Sequence, residues 1–305
     1  MRLDDFDPNI NVEDQRGSGG GFGGFGGGGG GGGLLLAFLP MVFSRFGCFG
    51  VAVLAGIFFL FSGGLQMVGG GAPVGGSGAP AERRAGTDAA SSCTIDAASK
   101  AACNAFSSAD KTWAAMFAQN GKQFQQPKLV FYSGNGQSGC GAAQSAMGPF
   151  YCPSDAGIYL DTSFFQELAQ QFRASGDFAQ DYVIAHEFGH HIQNLLGTSD
   201  RVASLQRRSS EVDGNKLSVM LELQADCFAG VWAAKNRDRM DADDLAEGMT
   251  AARAIGDDTL QREMQGRVVP DSFTHGTSEQ RMTWLKRGID TGDPGQCDTF
   301  GGALG

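Results

Sequence analysis

The stretch Asp177–Gly197 reads DFAQDYVIAHEFGHHIQNLLG. Phe178, Val183, Ile184, Phe188, Ile192 and Leu195 recur at helical spacing, Asp177 with Gln180 forms a start resembling a capping box, and Gly197 supplies a C-cap. The pattern predicts one helix over 178–196. Residues four apart on a helix project from one face, so His186 and His190 can both reach a single cation while Glu187, one step round, stands beside it. His191 points about 100° away and reads as a packing or supporting residue. Two surface histidines on an amphipathic helix would be the ordinary alternative. Here the HExxH pattern sits mid-helix among apolar neighbours rather than on a charged face, in a chain with only 4 histidines.

The chemistry that fits this pattern is zinc hydrolysis. Zn2+ accepts two neutral imidazoles, and a catalytic site keeps one position for water whose pKa the metal lowers. Glu187 would take that water's proton and later pass it to a leaving amine. A third protein ligand is needed. The metzincin spacing would place Gly at 193 and His at 196, where this chain has Gln193 and Leu196. Glu222 lies instead in an apolar stretch from Leu217 to Trp232, where an unpaired buried carboxylate would be expensive and metal ligation would offset the cost. Asp226, one turn on, can orient one histidine through its other ring nitrogen. His275, in the loop SFTHGT (272–277) after Pro270-Asp271, is placed to donate a hydrogen bond to a developing oxyanion. GNGQSG at 134–139 matches a dinucleotide-binding glycine pattern after a strand, but no helix long enough for a βαβ unit fits before Gly148-Pro149, so no nucleotide is expected.

Outward from the helix, Lys128–Ser133 (KLVFYS) and Gly157–Asp161 (GIYLD) read as strands, and a helical stretch around Asp110–Asn120 ends near Gly121. The expected fold is α+β: a zincin-like, predominantly helical domain over 90–305 with a small, mostly antiparallel sheet from about 128 to 165. Its 157–161 strand is expected at an edge over the cleft, open to an extended peptide. Residues 1–45 read as a disordered Gly-rich tether, 46–68 as one transmembrane helix and 69–89 as a Gly/Pro-rich linker. Arg45 before the span and no basic residue until Arg83 favour a cytoplasmic N-terminus, hence a single-pass cell-membrane protein with an extracytoplasmic domain. Cys93, Cys103, Cys140, Cys152, Cys227 and Cys297 follow the span, an even number suited to an oxidising compartment. Cys93 with Cys103 and Cys140 with Cys152 can close short loops, leaving Cys227 with Cys297. A net charge of −10 over 305 residues and no basic stripe argue against nucleic acid as a partner.

The motifs CGAAQSAMGPFYCP (140–153), DYVIAHEFGHHIQ (181–193), LELQADCFAGVW (221–232), AIGDD (254–258) and GRVVPDSFTHGTSEQR (266–281) resemble the bacterial neutral zinc metallopeptidase family (YpfJ-like), from about Lys111 to Phe300. HExxH with a Glu-x-x-Ala-Asp helix and a Thr-His loop followed by Arg is more remotely similar to the HtpX and CAAX prenyl protease families. That similarity implies Glu222 as third ligand and His275 as oxyanion helper with Arg281 beside it. Those relatives have several spans, so their membrane-protein substrates do not carry over. The expected function is a membrane-anchored zinc metalloendopeptidase acting on a peptide or protein. Its rivals are an inactive zinc-binding module that holds a partner at the membrane and a zinc hydrolase of non-peptide amides. AIGDD has no role derivable from sequence.

Overall fold

The computed structural model describes residues 1–17 and 89–302. The expectations placed on 18–88, including the crossing at 46–68 and the linker after it, lie outside the described residues. The described chain is mostly helical with a small sheet. In order it forms β1 (Val12–Asp14), α1 (Ala89–Ser92), α2 (Ala97–Gln119), β2 (Lys128–Tyr132), β3 (Asn135–Ser138), β4 (Gly141–Gln144), β5 (Phe150–Cys152) and β6 (Gly157–Asp161). There follow α3 (Phe164–Gln170), α4 (Asp177–Leu195), α5 (Thr198–Gln206), α6 (Glu211–Lys235), α7 (Asp244–Ala254), α8 (Asp257–Gln265) and α9 (Ser278–Thr291).

The sheet departs from expectation in three ways. Its order is β1-β2-β6-β5, and both the β1–β2 and the β2–β6 pairings are parallel, with only β5–β6 antiparallel. It is therefore mixed, not mostly antiparallel. Strand β2 returns parallel as β6 because the chain between them makes an excursion long enough for a crossover, built from the β3–β4 hairpin and β5. Second, β6 is internal and buried along its length, so the edges of the sheet are β1 and β5. Third, residues 1–17 are no tether: Val12, Glu13 and Asp14 pair with Leu129, Val130 and Phe131. Met1, Leu3, Ile10 and Val12 are buried in the main core, spaced so thinly among charged residues that the segment's composition reads as polar. The Met1 amino group lies 2.7 Å from Asp177 and 2.9 Å from Asp244. The glycine pattern at 134–139 forms the β3 side of a hairpin, not a strand-to-helix turn.

The helices follow their periodicity. Helix α4 runs within a residue of expectation at each end, with Gly197 left-handed (φ 74°) just past it; the capping box is not formed, since Gly176 holds the N-cap position. Helix α2 begins earlier than Asp110, capped by Asp96, whose side chain accepts from the Ser99 N–H. Disulfides join Cys93 to Cys103, Cys140 to Cys152 and Cys227 to Cys297. Among the described residues one helix, α6, is long and apolar enough to cross a membrane, yet more than half of its apolar window is buried inside the domain.

Candidate metal centre

Two close helix crossings assemble the site. Gly189, inside the HExxH motif, lies against α6 so tightly that a Cβ there would stand 2.9 Å from the Ala225 carbonyl oxygen and 3.0 Å from its Cα. That approach lets Glu222, three residues before Ala225, reach the histidines of α4. On the other side of α6, Gly230 meets Gly288 of α9, where an added Cβ would lie 2.9 Å from the Gly288 Cα. The second crossing brings Arg281 of α9 to Asp226.

The histidine Nε2 atoms converge on Glu222: His186 Nε2 is 3.1 Å from one carboxylate oxygen and His190 Nε2 is 3.4 Å from the other. One donor atom from each of the three residues falls within 4.8 Å of the others. The opposite ring nitrogens are held from behind. His186 Nδ1 donates to Asp226 at 2.8 Å, and His190 Nδ1 donates to the Gln193 amide oxygen at 2.9 Å. Asp226, fully buried, also accepts from Tyr182 Oη at 2.6 Å and from Arg281 through Nε and a terminal nitrogen at 2.9 and 2.8 Å. Glu187 is buried beside the cluster.

The cluster is organised around positive charge. Burial alone would raise the Glu222 carboxyl, but His190 and His186 outweigh it and hold it well below the usual range. Burial opposes charge on His186, yet Asp226 and Glu222 raise its pKa to about 10. Asp226, despite its burial, is held at about 2 by Arg281 and His186. Glu187 goes the other way: burial raises its carboxyl above the ordinary value, with His186 and His190 opposing.

His275 stands at the rim with a half-exposed side chain. Asp257, from AIGDD, fixes its loop: one carboxylate oxygen accepts the backbone N–H groups of Thr274, His275 and Gly276 at 2.8, 2.7 and 3.0 Å. The other lies 3.2 Å from His275 Nδ1. Asp258 accepts from the Ser278 backbone and hydroxyl at 2.7 and 2.8 Å, tying the start of α9 to α8. Arg281 lies behind His186, buried against Asp226 and Tyr182.

A family model described as "Putative neutral zinc metallopeptidase" matches residues 1–300. The chain belongs to this neutral zinc metallopeptidase family. It is 53% identical over 211 residues to the uncharacterized protein YpfJ of Escherichia coli (strain K12), covering 68% of this chain and 74% of that one. It is 43% identical over 193 residues to an uncharacterized protein of Mycobacterium tuberculosis (strain ATCC 25618 / H37Rv), covering 59% and 64%. These matches do not show the remoter likeness to HtpX or the CAAX prenyl proteases, and no solved structure matches significantly.

The zinc in the name of the neutral zinc metallopeptidase family suits the donor set. Two atoms each about 2.0–2.1 Å from a tetrahedral zinc lie roughly 3.3 Å apart, and the Glu222 separations of 3.1 and 3.4 Å match that spacing. Both Nε2 atoms face inward because both Nδ1 atoms are engaged behind. In this member of the family, sequence reasoning missed three supporting residues. Tyr182 and Gln193 lie on α4 one turn before His186 and after His190, and that spacing was the available signal. Gln193 also donates to the Leu221 carbonyl at 2.7 Å, so it links the two ligand helices. Asp257 carried no local signal. His191 is a packing residue: it accepts from Tyr151 Oη at 3.1 Å, donates to the Gln125 carbonyl at 2.7 Å, and burial lowers its pKa to about 4.

Proposed function

We propose that this chain is a zincin-like metalloendopeptidase that hydrolyses peptide bonds at the His186–His190–Glu222 cluster. The observation that carries the reading is the pairing of that donor set with a buried carboxylate, Glu187, one residue from a ligand. A site that only held metal would have no use for it. Zinc bound by His186, His190 and Glu222 would supply Lewis acidity toward the scissile carbonyl and lower the pKa of a water.

The chain's own groups do the rest. Glu187, its carboxyl raised by burial, accepts the proton of the attacking water and returns it to the leaving amine, a role suited to a base whose pKa lies nearer neutrality than a free carboxylate's. His275 donates to the carbonyl oxygen as it gains negative charge, steadied by the Asp257 clamp. Asp226 and Gln193 set the ring orientation of the two histidines, and Arg281 neutralises Asp226.

The three disulfides support a domain that folds outside the cytoplasm, where such bonds persist. The apolar run 46–68 attaches it to a membrane. The purified full chain, assayed on unfolded protein and on purified cell-wall fragments with chelation and zinc restoration, tests the substrate class. Zinc-dependent cleavage of unfolded protein alone is expected. Release of wall amides without protein cleavage would move the assignment to a non-peptide hydrolase, and inactivity on both would favour a zinc-binding module.

A further inference from the structure

The segment before the apolar run and the domain after it are parts of one folded body. Residues 1–17 and 89–302 belong to one compact unit. Strand β1 forms one edge of the sheet beside β2, whose Leu129 and Phe131 have no solvent exposure. The side-chain amide of Asn104, on α2 and nearly fully buried, finds its partners in the same segment: it accepts from the Phe6 N–H at 3.1 Å and donates to the Leu3 carbonyl. Ser107 accepts from the Asp7 N–H at 2.8 Å. Removing residues 1–17 would leave a buried amide unpaired and a row of β2 backbone groups open.

The points where the chain leaves and rejoins this body are adjacent. Arg16 donates to the Ser92 carbonyl at 3.0 Å and to Ser99 Oγ at 2.6 Å, and its guanidinium carbon sits 4.5 Å from the centre of the Phe131 ring. Arg16, one residue short of the last described before the apolar run, is thus tied to the first two helices after it. A chain that crosses a bilayer once puts its two flanks on opposite sides. Flanks paired in one sheet cannot be so separated. The family match, which begins at residue 1, treats the leading segment as part of the same protein pattern.

We propose that residues 1–17 and the catalytic domain share one side of the membrane, so that the chain between them makes an even number of crossings or none. The leading segment is therefore exported with the domain. This rests on the membrane attachment proposed above and replaces the single crossing expected from run length and charge.

The test uses the full chain in native membranes and a carbodiimide, which joins a carboxylate to an amine in contact. Lys128 Nζ lies 3.2 Å from Glu13 and 3.3 Å from Asp155, so two amide cross-links compete for one lysine. The Lys128–Asp155 link lies within the domain and serves as internal control. Both links are expected, and both lost in Lys128→Arg; the Asp155 link alone would overturn the proposal. Sidedness is read separately, in a Cys48→Ser background that removes the seventh cysteine, from Asp4→Cys and Lys122→Cys labelled with a membrane-impermeant maleimide in spheroplasts and inverted vesicles. Labelling of both from the same face is expected, and labelling from opposite faces overturns the proposal. Release of the chain from membranes by carbonate would remove the membrane reading on its own, while still bearing out a shared side with no crossing.

Discussion

Asp226 is the residue on which most of the site converges. It is buried, anchors His186, and is matched by a bidentate Arg281 and the Tyr182 hydroxyl. Removing one member of a buried ion pair strands the other, so Asp226→Leu is expected to lower unfolding stability by about 3–5 kcal/mol, read by denaturant titration. Adding Arg281→Met should recover much of that loss without recovering zinc affinity, because His186 still lacks its orienting acceptor. Gln193→Leu separates the two effects from the other side: zinc affinity should fall roughly 10–100-fold, with a smaller change in stability. Asp257 gives a pH signature. Burial raises its carboxyl, but His275 and the loop amides outweigh burial and lower it. A depressed carboxyl stabilises the fold in full above its unfolded value and stops doing so as pH falls through the folded one. Asp257→Ala should therefore cost about 2–3 kcal/mol near neutrality, and the gap in melting temperature from wild type should close on acidification below about pH 4. The grouping of His186, His190 and Glu222 was legible because zinc chemistry admits few residue types at few spacings. Tyr182, Gln193 and Asp257 were not, because a side-chain amide, phenol or carboxylate acquires its role only from the partner that tertiary packing brings to it.

At the scale of elements, the glycine in HEFGH has a structural duty distinct from the chemistry of its neighbours. Gly189→Ala would force its Cβ against the Ala225 backbone, which cannot rotate away. The expected result is separation of α4 from α6, a loss of about 1–3 kcal/mol and weaker metal binding through the displaced Glu222. Stability and zinc titration of the variant check this, and unchanged zinc affinity would show that the crossing does not set the ligand spacing. The helices were readable since a 3.6-residue period leaves its trace in sequence. The sheet was not. A strand such as β6, buried on both faces, looks the same whether its neighbours run parallel or antiparallel, and β1 is only 3 residues long.

The whole molecule is a domain interrupted near its start. Its first residues form one edge of the sheet, and a chain begun near residue 88 lacks Leu3, Ile10 and Val12, each buried. At about 1.5–3 kcal/mol per buried side chain their loss approaches the total stability of an ordinary domain, about 5–15 kcal/mol. That fragment is expected to show no cooperative melt, whereas a full chain in detergent should. Composition hid this arrangement, because 17 polar-looking residues ahead of a glycine run resemble a tether until their four buried apolar positions are seen against a partner surface. The disulfides were easier, since two pairs close short loops and leave the third. The central claim is that Glu187 performs chemistry on a zinc held by its neighbours. The most direct measurement is zinc content together with cleavage of unfolded protein for the purified full chain and its Glu187→Gln variant. One zinc per chain in both, with cleavage by wild type alone, is the predicted result; equal cleavage by the two, or no zinc in either, would contradict it.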